Sequence, residues 1–277
     1  SPATLVKDAR RHGVRVRPAC AVASGWDCAV GEDDSLRLGL RVVRGLSALR
    51  GMALVAERER RPFDSLEDLR RRVPLDKDEL RALASVGAFA ALSSHRREAM
   101  WEAERVLREG DLFAGGGATA RQSVVGTLEA CPPGPLRVMT PMERLAADYA
   151  GTGLTVGPHP MALVRAEMAA RGIWCAADLA SVPHGRRVRV AGQAICRQRP
   201  GSAKGFCFIS LEDETGIANA IVTPKLFERH RLVIVQEPFL TIVGRVQNQA
   251  GVISVKAESV EPLAYPTEAP VEGHDFR

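Results

Sequence analysis

From residue 186 to 263 the hydrophobic spacing settles into period two, and the order of the segments leaves few folds open. "RRVRVAGQAICR" alternates, "FCFISLED" is a β run, Asp213-Glu214-Thr215-Gly216 is a turn, and "IANAIV" is a third strand. Pro224 then opens a short helix, "PKLFERH", before "FLTIVGRV", the turn "NQAG" and "VISVKA" supply two more strands. Three strands, a helix and two strands is the layout of an OB-fold, a five-stranded barrel whose strand 2–3 face and loops commonly hold single strands. Phe206 and Phe208 share one side of the second strand, and Cys207, Ile209 and Leu211 share the other. Alternation alone leaves open which side faces the core.

Residues 36–92 have a different character. Leu38, Leu40, Val42, Val43, Leu46, Leu49, Met52 and Val55 recur at near-helical spacing, broken by Gly45-Leu46-Ser47. Two short helices meeting at that triplet make a helix-hairpin-helix candidate. A second unit follows, in which Ser65 with Asp68 marks a helix start and Asp76 with Glu79 fits a capping box. Pro74-Leu75-Asp76 is then the turn of a second hairpin, and its lack of glycine points to a structural role.

Elsewhere, residues 2–12 read as a helix ending at Gly13, "VRVRP" as a short extended stretch, and 18–35 as loop and hairpin. Residues 93–110 read as a charged helix, followed by a Gly/Pro-rich linker and helices at 141–150 and 161–171. The expected fold class is multi-domain α+β: an end segment (1–35), tandem hairpins (36–92), linker and connecting helices (93–185), the barrel (186–263) and a tail (264–277). The chain opens in mid-helical pattern without an initiator Met, as a piece of something longer would.

Catalytic chemistry is hard to place. Phosphoryl transfer needs carboxylates clustered around metal ions, but Asp33-Asp34 lies in a loop and Glu212-Asp213-Glu214 at a hairpin turn, where acids usually face water. No GxxxxGK[ST], GxSxG or HExxH occurs, and the six histidines are scattered. Six cysteines show no metal-ligand spacing and read as reduced thiols; no apolar run is long enough to span a bilayer, so a cytoplasmic protein is expected. The fragment itself implies no cofactor and no metal.

Binding is better supported. Lys plus Arg exceed Asp plus Glu by 38 to 33, and the arginines are bunched, as for a polyanion partner. A glycine turn presents backbone N–H groups at the start of the next helix, where the dipole also favours a phosphate. Arg44 and Arg50 flank Gly45 and Leu46 there, and Ser47 can cap the second helix. The alternative is a plain helical packing unit. On the barrel, Arg186, Arg187, Arg189, Arg197 and Arg199 lie on or beside the first strand, with Lys204 in the next loop. Such a groove can follow a single-stranded backbone, and Phe206 and Phe208, if they point outward, are stacking platforms.

"RQRPGSAKGFCFISLEDETGIANAIV", "TGLTVGPHPMALVR", "LRLGLRVVRGL" and "LASVGAFAAL" together resemble the C-terminal half of bacterial C-family DNA polymerases. The closest resemblance is to the error-prone relative of the DNA polymerase III alpha subunit. It implies that residues 1–35 end the fingers, that the tandem hairpins lie over duplex DNA, and that the barrel lies near single-stranded template. It also places the catalytic aspartates, magnesium and dNTP chemistry upstream of this chain. Replicative members carry a glutamine-containing clamp motif ending in Leu-Phe; here the corresponding place reads Glu109-Gly110-Asp111-Leu112-Phe113. A carboxylate in place of the amide removes a donor, so clamp binding is expected to be weak or indirect, with accessory mutagenesis proteins as recruiters. A protein-interaction module, or the same region of a replicative polymerase, is the alternative.

Overall fold

The computed structural model describes residues 2–105, 136–249, 251–263 and 274–275. The chain divides into two compact units, Ser1–Thr140 and Pro141–Arg277. The helices after residue 140 therefore belong with the barrel rather than to a free linker.

The first unit begins with α1 (Pro2–Arg11), stopped by Gly13 at φ +84°. A three-stranded sheet follows, in which β3 (Leu36–Arg37) lies between β1 (Val16–Arg17), parallel to it, and β2 (Ala29–Val30), antiparallel. Asp33 closes it, accepting from the Ser35 hydroxyl at 2.6 Å and from Arg17 at 2.5 Å. Those bonds, the Ser35 hydroxyl's first, hold its carboxyl well below the usual carboxylate range. Helices α2 (Ala48–Arg60), α3 (Leu66–Arg72), α4 (Lys77–Ser85) and α5 (Arg96–Glu104) complete the unit.

The expected helix before Gly45 does not form. Leu36 and Arg37 are strand, and only Leu40–Val42 makes one 3-10 turn. The reason lies in the backbone partners: Leu40 and Arg41 donate to the carbonyls of Gly25 and Trp26 instead of to a preceding turn. Gly39 sits so close to that loop that a Cβ would meet the Trp26 carbonyl oxygen at 2.4 Å. The second hairpin folds as its caps predict: Ser65 accepts from Asp68 N, and Asp76 and Glu79 form a complete capping box.

Gly51 is a helix-interior glycine with a packing reason. A Cβ there would lie 2.3 Å from the Trp26 ring. Alanine normally gains about 1 kcal/mol of helix propensity over glycine, yet Gly51→Ala is expected to destabilise the unit by roughly 1–2 kcal/mol through overpacking. Thermal melts followed by tryptophan fluorescence check this; a stabilised Gly51→Ala would remove the packing argument.

In the second unit α6 (Pro141–Thr152) and α7 (Pro160–Ala170) precede the barrel. Strands β4 (Arg187–Gln198), β5 (Cys207–Glu212) and β6 (Ile217–Val222), helix α8 (Pro224–Gln236), and strands β7 (Phe239–Gln249) and β8 (Val252–Pro262) follow in the OB order. The order β5-β6-β8-β7-β4 is closed by a β5–β4 pairing, and only β6–β8 is parallel among these barrel neighbours. A two-residue β9 (His274–Asp275) pairs in parallel with β4 at Cys196 and Arg197. Val188, Val190, Ile209, Leu211, Val222, Leu240, Ile242, Val246 and Val255 fill the barrel, with Leu226, Phe227 and Ile234 of α8 packed in the same cluster. Helix α8 runs past the expected His230, where its backbone kinks. Met161 and Met168 of α7 pack with Phe239 and Ala191, which seats this helix on the barrel.

Candidate nucleic-acid interface

The side of β5 left open by the sequence is settled by burial. Cys207, Ile209 and Leu211 are in the core, and Phe208 is 38% exposed on the outside. Phe206 precedes the strand and is half-buried. Register then extends the outer face. Phe208 lies between Gln198 on β4 and Ile221 on β6, and Ile221 pairs with Lys256 on β8. Lys256 in turn pairs with Arg245 on β7, and Arg245 with Arg187 on β4. A second row sets Cys196, Ser210 and Asn219 side by side, with the Ser210 hydroxyl donating to Asn219 Oδ1 at 2.9 Å. The outer face thus runs from an aromatic and aliphatic patch into a basic rim. Ile221, Asn219, Arg245 and Lys256 were not among the sequence-derived residues. The signal for them was the outward phase of period two, readable only once Phe208 fixes that phase.

The arginines divide by what holds them. Arg187 and Arg245 share Glu258, at 2.8 and 3.0 Å. Arg189 is exposed, and its guanidinium has no partner among the described residues. Arg197 is half-buried and donates to the Glu237 carbonyl at 2.6 Å and the Ala194 carbonyl, so much of its hydrogen bonding is committed within the barrel. Arg199 lies over the Phe227 ring at 4.3 Å, pairs with Glu228 and donates to Gly205 O. It therefore shapes the loop between β4 and β5. Lys204 stands exposed on that loop, at φ +49° next to Gly205 at +82°.

The acidic turn, expected to face water, is instead buried: Glu212 is 3% and Asp213 5% exposed. Asp213 Oδ1 accepts from the amides of Thr215 and Gly216 and from the Thr215 hydroxyl. Its Oδ2 accepts from Ala176 N at 2.7 Å and Arg165 at 3.2 Å. Glu214 takes the same guanidinium through both oxygens and pushes the Arg165 pKa up. The turn is a structural clasp between α7 and the barrel. Among the described residues no three His, Cys, Asp or Glu side chains gather as metal ligands. These carboxylates and Asp33 are already engaged within the fold, so these side chains do not form a magnesium-binding cluster.

In the first unit Gly45 takes φ +88°, as the hairpin turn requires. Arg44 is exposed on the turn, whereas Leu46 is a core residue. Ser47 sits at the N-cap of α2 but makes no side-chain cap hydrogen bond. Its hydroxyl instead donates to Glu79 Oε1 at 2.7 Å, a charged acceptor whose bond sets where the hydroxyl points. Arg50 is likewise engaged, by Glu79 Oε2 at 3.4 Å and by the Pro74 carbonyl. Helices α4 and α5 form a further hairpin that the sequence reading missed. Its glycine is Gly87, at φ +79° in the segment between them, against which the Arg96 side chain packs. Beside the Gly45 turn, Arg81, Ala82, Met100 and the 55%-exposed Trp101 help line an open groove of about 560 Å³.

Residues 13–99 match the family of the helix-hairpin-helix motif, and 181–263 match the family described as OB-fold nucleic acid binding domain. All of this chain aligns at 41% identity, over 291 residues, with the error-prone DNA polymerase of Anaeromyxobacter sp. (strain K), covering 24% of that protein. Along its whole length the chain is similar to part of the error-prone DNA polymerases. Error-prone DNA polymerase 2 of Rhizobium meliloti (strain 1021) is 40% identical over 270 residues, and the error-prone DNA polymerase of Azoarcus sp. (strain BH72) 39% over 277. Each alignment covers 95% of this chain and 25% of the relative. The chain thus spans about a quarter of the length of the curated relatives it matches. The chain carries both matched folds, while Asp111, Leu112 and Phe113 of the clamp-like segment lie outside the described residues. Among the described residues no helix is long and apolar enough to cross a membrane.

Proposed function

We propose that this chain is the DNA-holding part of a polymerase acting in translesion or damage-induced synthesis. The barrel holds single-stranded template on its outer face, and the hairpin unit rests on duplex phosphates without reading sequence. The observation that carries this reading is the outward row in which Phe208 and Ile221 run into Lys256, Arg245 and Arg187. A base can stack on the ring while its phosphates follow the cations. Nucleotidyl transfer, with magnesium and dNTPs, belongs to the rest of the polymerase, working on cytoplasmic DNA. Recruitment runs through accessory proteins, because Glu109 offers the clamp an acceptor in place of an amide donor.

The test is fluorescence anisotropy with a primer-template bearing a 5′ overhang, across a salt series. Each lost phosphate contact flattens the slope of log K against log salt by about 0.7 for a single strand. An Arg189→Ala/Lys204→Ala/Lys256→Ala variant is expected to lose up to about two units of slope on overhang DNA and little on blunt duplex. An unchanged slope would move the contact off the barrel, and salt-blind association would favour a protein-docking module.

A further inference from the structure

A carboxylate already occupies the anion seat of the first hairpin. Glu79 comes from α4, 32 residues along the chain from Ser47. It is 4% exposed. Its Oε1 accepts from the Ser47 amide at 3.1 Å and the Ser47 hydroxyl at 2.7 Å; its Oε2 accepts from the Asp76 amide at 3.2 Å and lies 3.4 Å from Arg50 Nε. These are an N–H at the start of a helix, a hydroxyl and a guanidinium, the donor set that would otherwise receive a phosphate oxygen.

We propose that Glu79 is an internal surrogate for a DNA phosphate, which closes this seat and leaves the Gly45–Ser47 hairpin a loose rest on duplex. The proposal stands on the reading of the unit as a duplex contact. Because the seat is filled by a buried carboxylate, an incoming phosphate meets a like charge and finds Ser47 N–H and Arg50 already bonded. The Arg44 side chain is exposed on the rim of the turn. A loose contact of this kind lets duplex slide under the hairpin as synthesis proceeds.

Glu79→Gln tests it in the full 277-residue chain. The amide oxygen can keep one of the two helix starts satisfied while the negative charge is removed. Affinity for blunt duplex is expected to rise several-fold, and the slope of log K against log salt to steepen by about 0.9, the value of one duplex phosphate. Glu79→Gln/Arg50→Ala should lose that gain. Asp78→Asn, which removes the same charge from the neighbouring residue of α4 where the side chain is 88% exposed, controls for net charge and should give a smaller rise with an unchanged slope. An equal rise in Asp78→Asn, or no rise in a folded Glu79→Gln, overturns the proposal. If Glu79→Gln does not fold, an NMR titration of the unsubstituted chain decides: a Ser47 amide resonance that stays put on adding duplex supports the surrogate, and one that shifts with the DNA overturns it. No duplex binding by any of these proteins would instead remove the reading on which it rests, and this proposal with it.

Discussion

Phe208→Ala is expected to weaken binding of a single strand by about 1–3 kcal/mol, roughly 5- to 150-fold, the range for losing one base stacked on an aromatic ring. Phe208 is 38% exposed, and on the strand alternation it belongs to the outer phase, so its loss should leave thermal stability close to that of the parent chain. The neighbouring position gives the contrast. Ile209 is 1% exposed in the barrel core, and Ile209→Ala should cost stability through the cavity it leaves, about 2–5 kcal/mol, with DNA binding intact while the barrel stays folded. Anisotropy on an oligothymidylate, paired with a melt, separates the two. If Phe208→Ala binds as tightly as the parent, the platform is not where the strand lies. The arginines and Lys204 would then carry binding alone.

That contrast shows how far the chain is legible. Period two, the turn at Asp213-Glu214-Thr215-Gly216 and the helix opening at Pro224 were enough to order the barrel, because each depends only on neighbours in sequence. The two N-caps at Ser65 and Asp76 were legible for the same reason. Failures came where a distant group competes for a local one. The apolar spacing around Leu38 and Leu40 suits a helix, but the Gly25 and Trp26 carbonyls take the amides that the helix would need. Ser47 reads as a cap until Glu79, 32 residues away, is seen to take its hydroxyl. His159 and His95 cap helices through Nδ1, a role that weak sequence preference does not advertise. At the candidate interface the cations were visible as a composition, but which of them face outward and uncommitted was not. Arg197 and Arg199 are spent largely on the barrel itself, whereas Lys256 joins the rim through a parallel β6–β8 pairing that local sequence cannot announce.

The largest stability effect is expected at Asp213, where an isosteric change should fail. Each carboxylate oxygen receives only donors: Oδ1 from Thr215 and Gly216, Oδ2 from Ala176 N and Arg165. Asparagine must turn its NH2 toward one of those sets, so that donor meets donor in a site only 5% exposed, and no flip of the amide relieves it. It also leaves Arg165, itself half-buried between two acids, with one charge partner fewer. Removing one member of a buried pair costs about 3–5 kcal/mol, so Asp213→Asn should lower the melting temperature of this unit by on the order of 10–20 °C. Glu214→Gln, at the more accessible end of the same clasp, should cost far less, because Arg165 keeps Asp213. The turn joins β5 to β6, the strands that carry Phe208, Ser210, Asn219 and Ile221. Loosening it should therefore also reduce single-strand binding as the temperature nears the new midpoint, and leave it unchanged well below. Calorimetry on both variants, with anisotropy at two temperatures, decides the matter. An Asp213→Asn chain that melts with the parent would mean the acidic turn contributes charge alone, and the clasp between α7 and the barrel would have to rest on Met161, Met168 and Phe239.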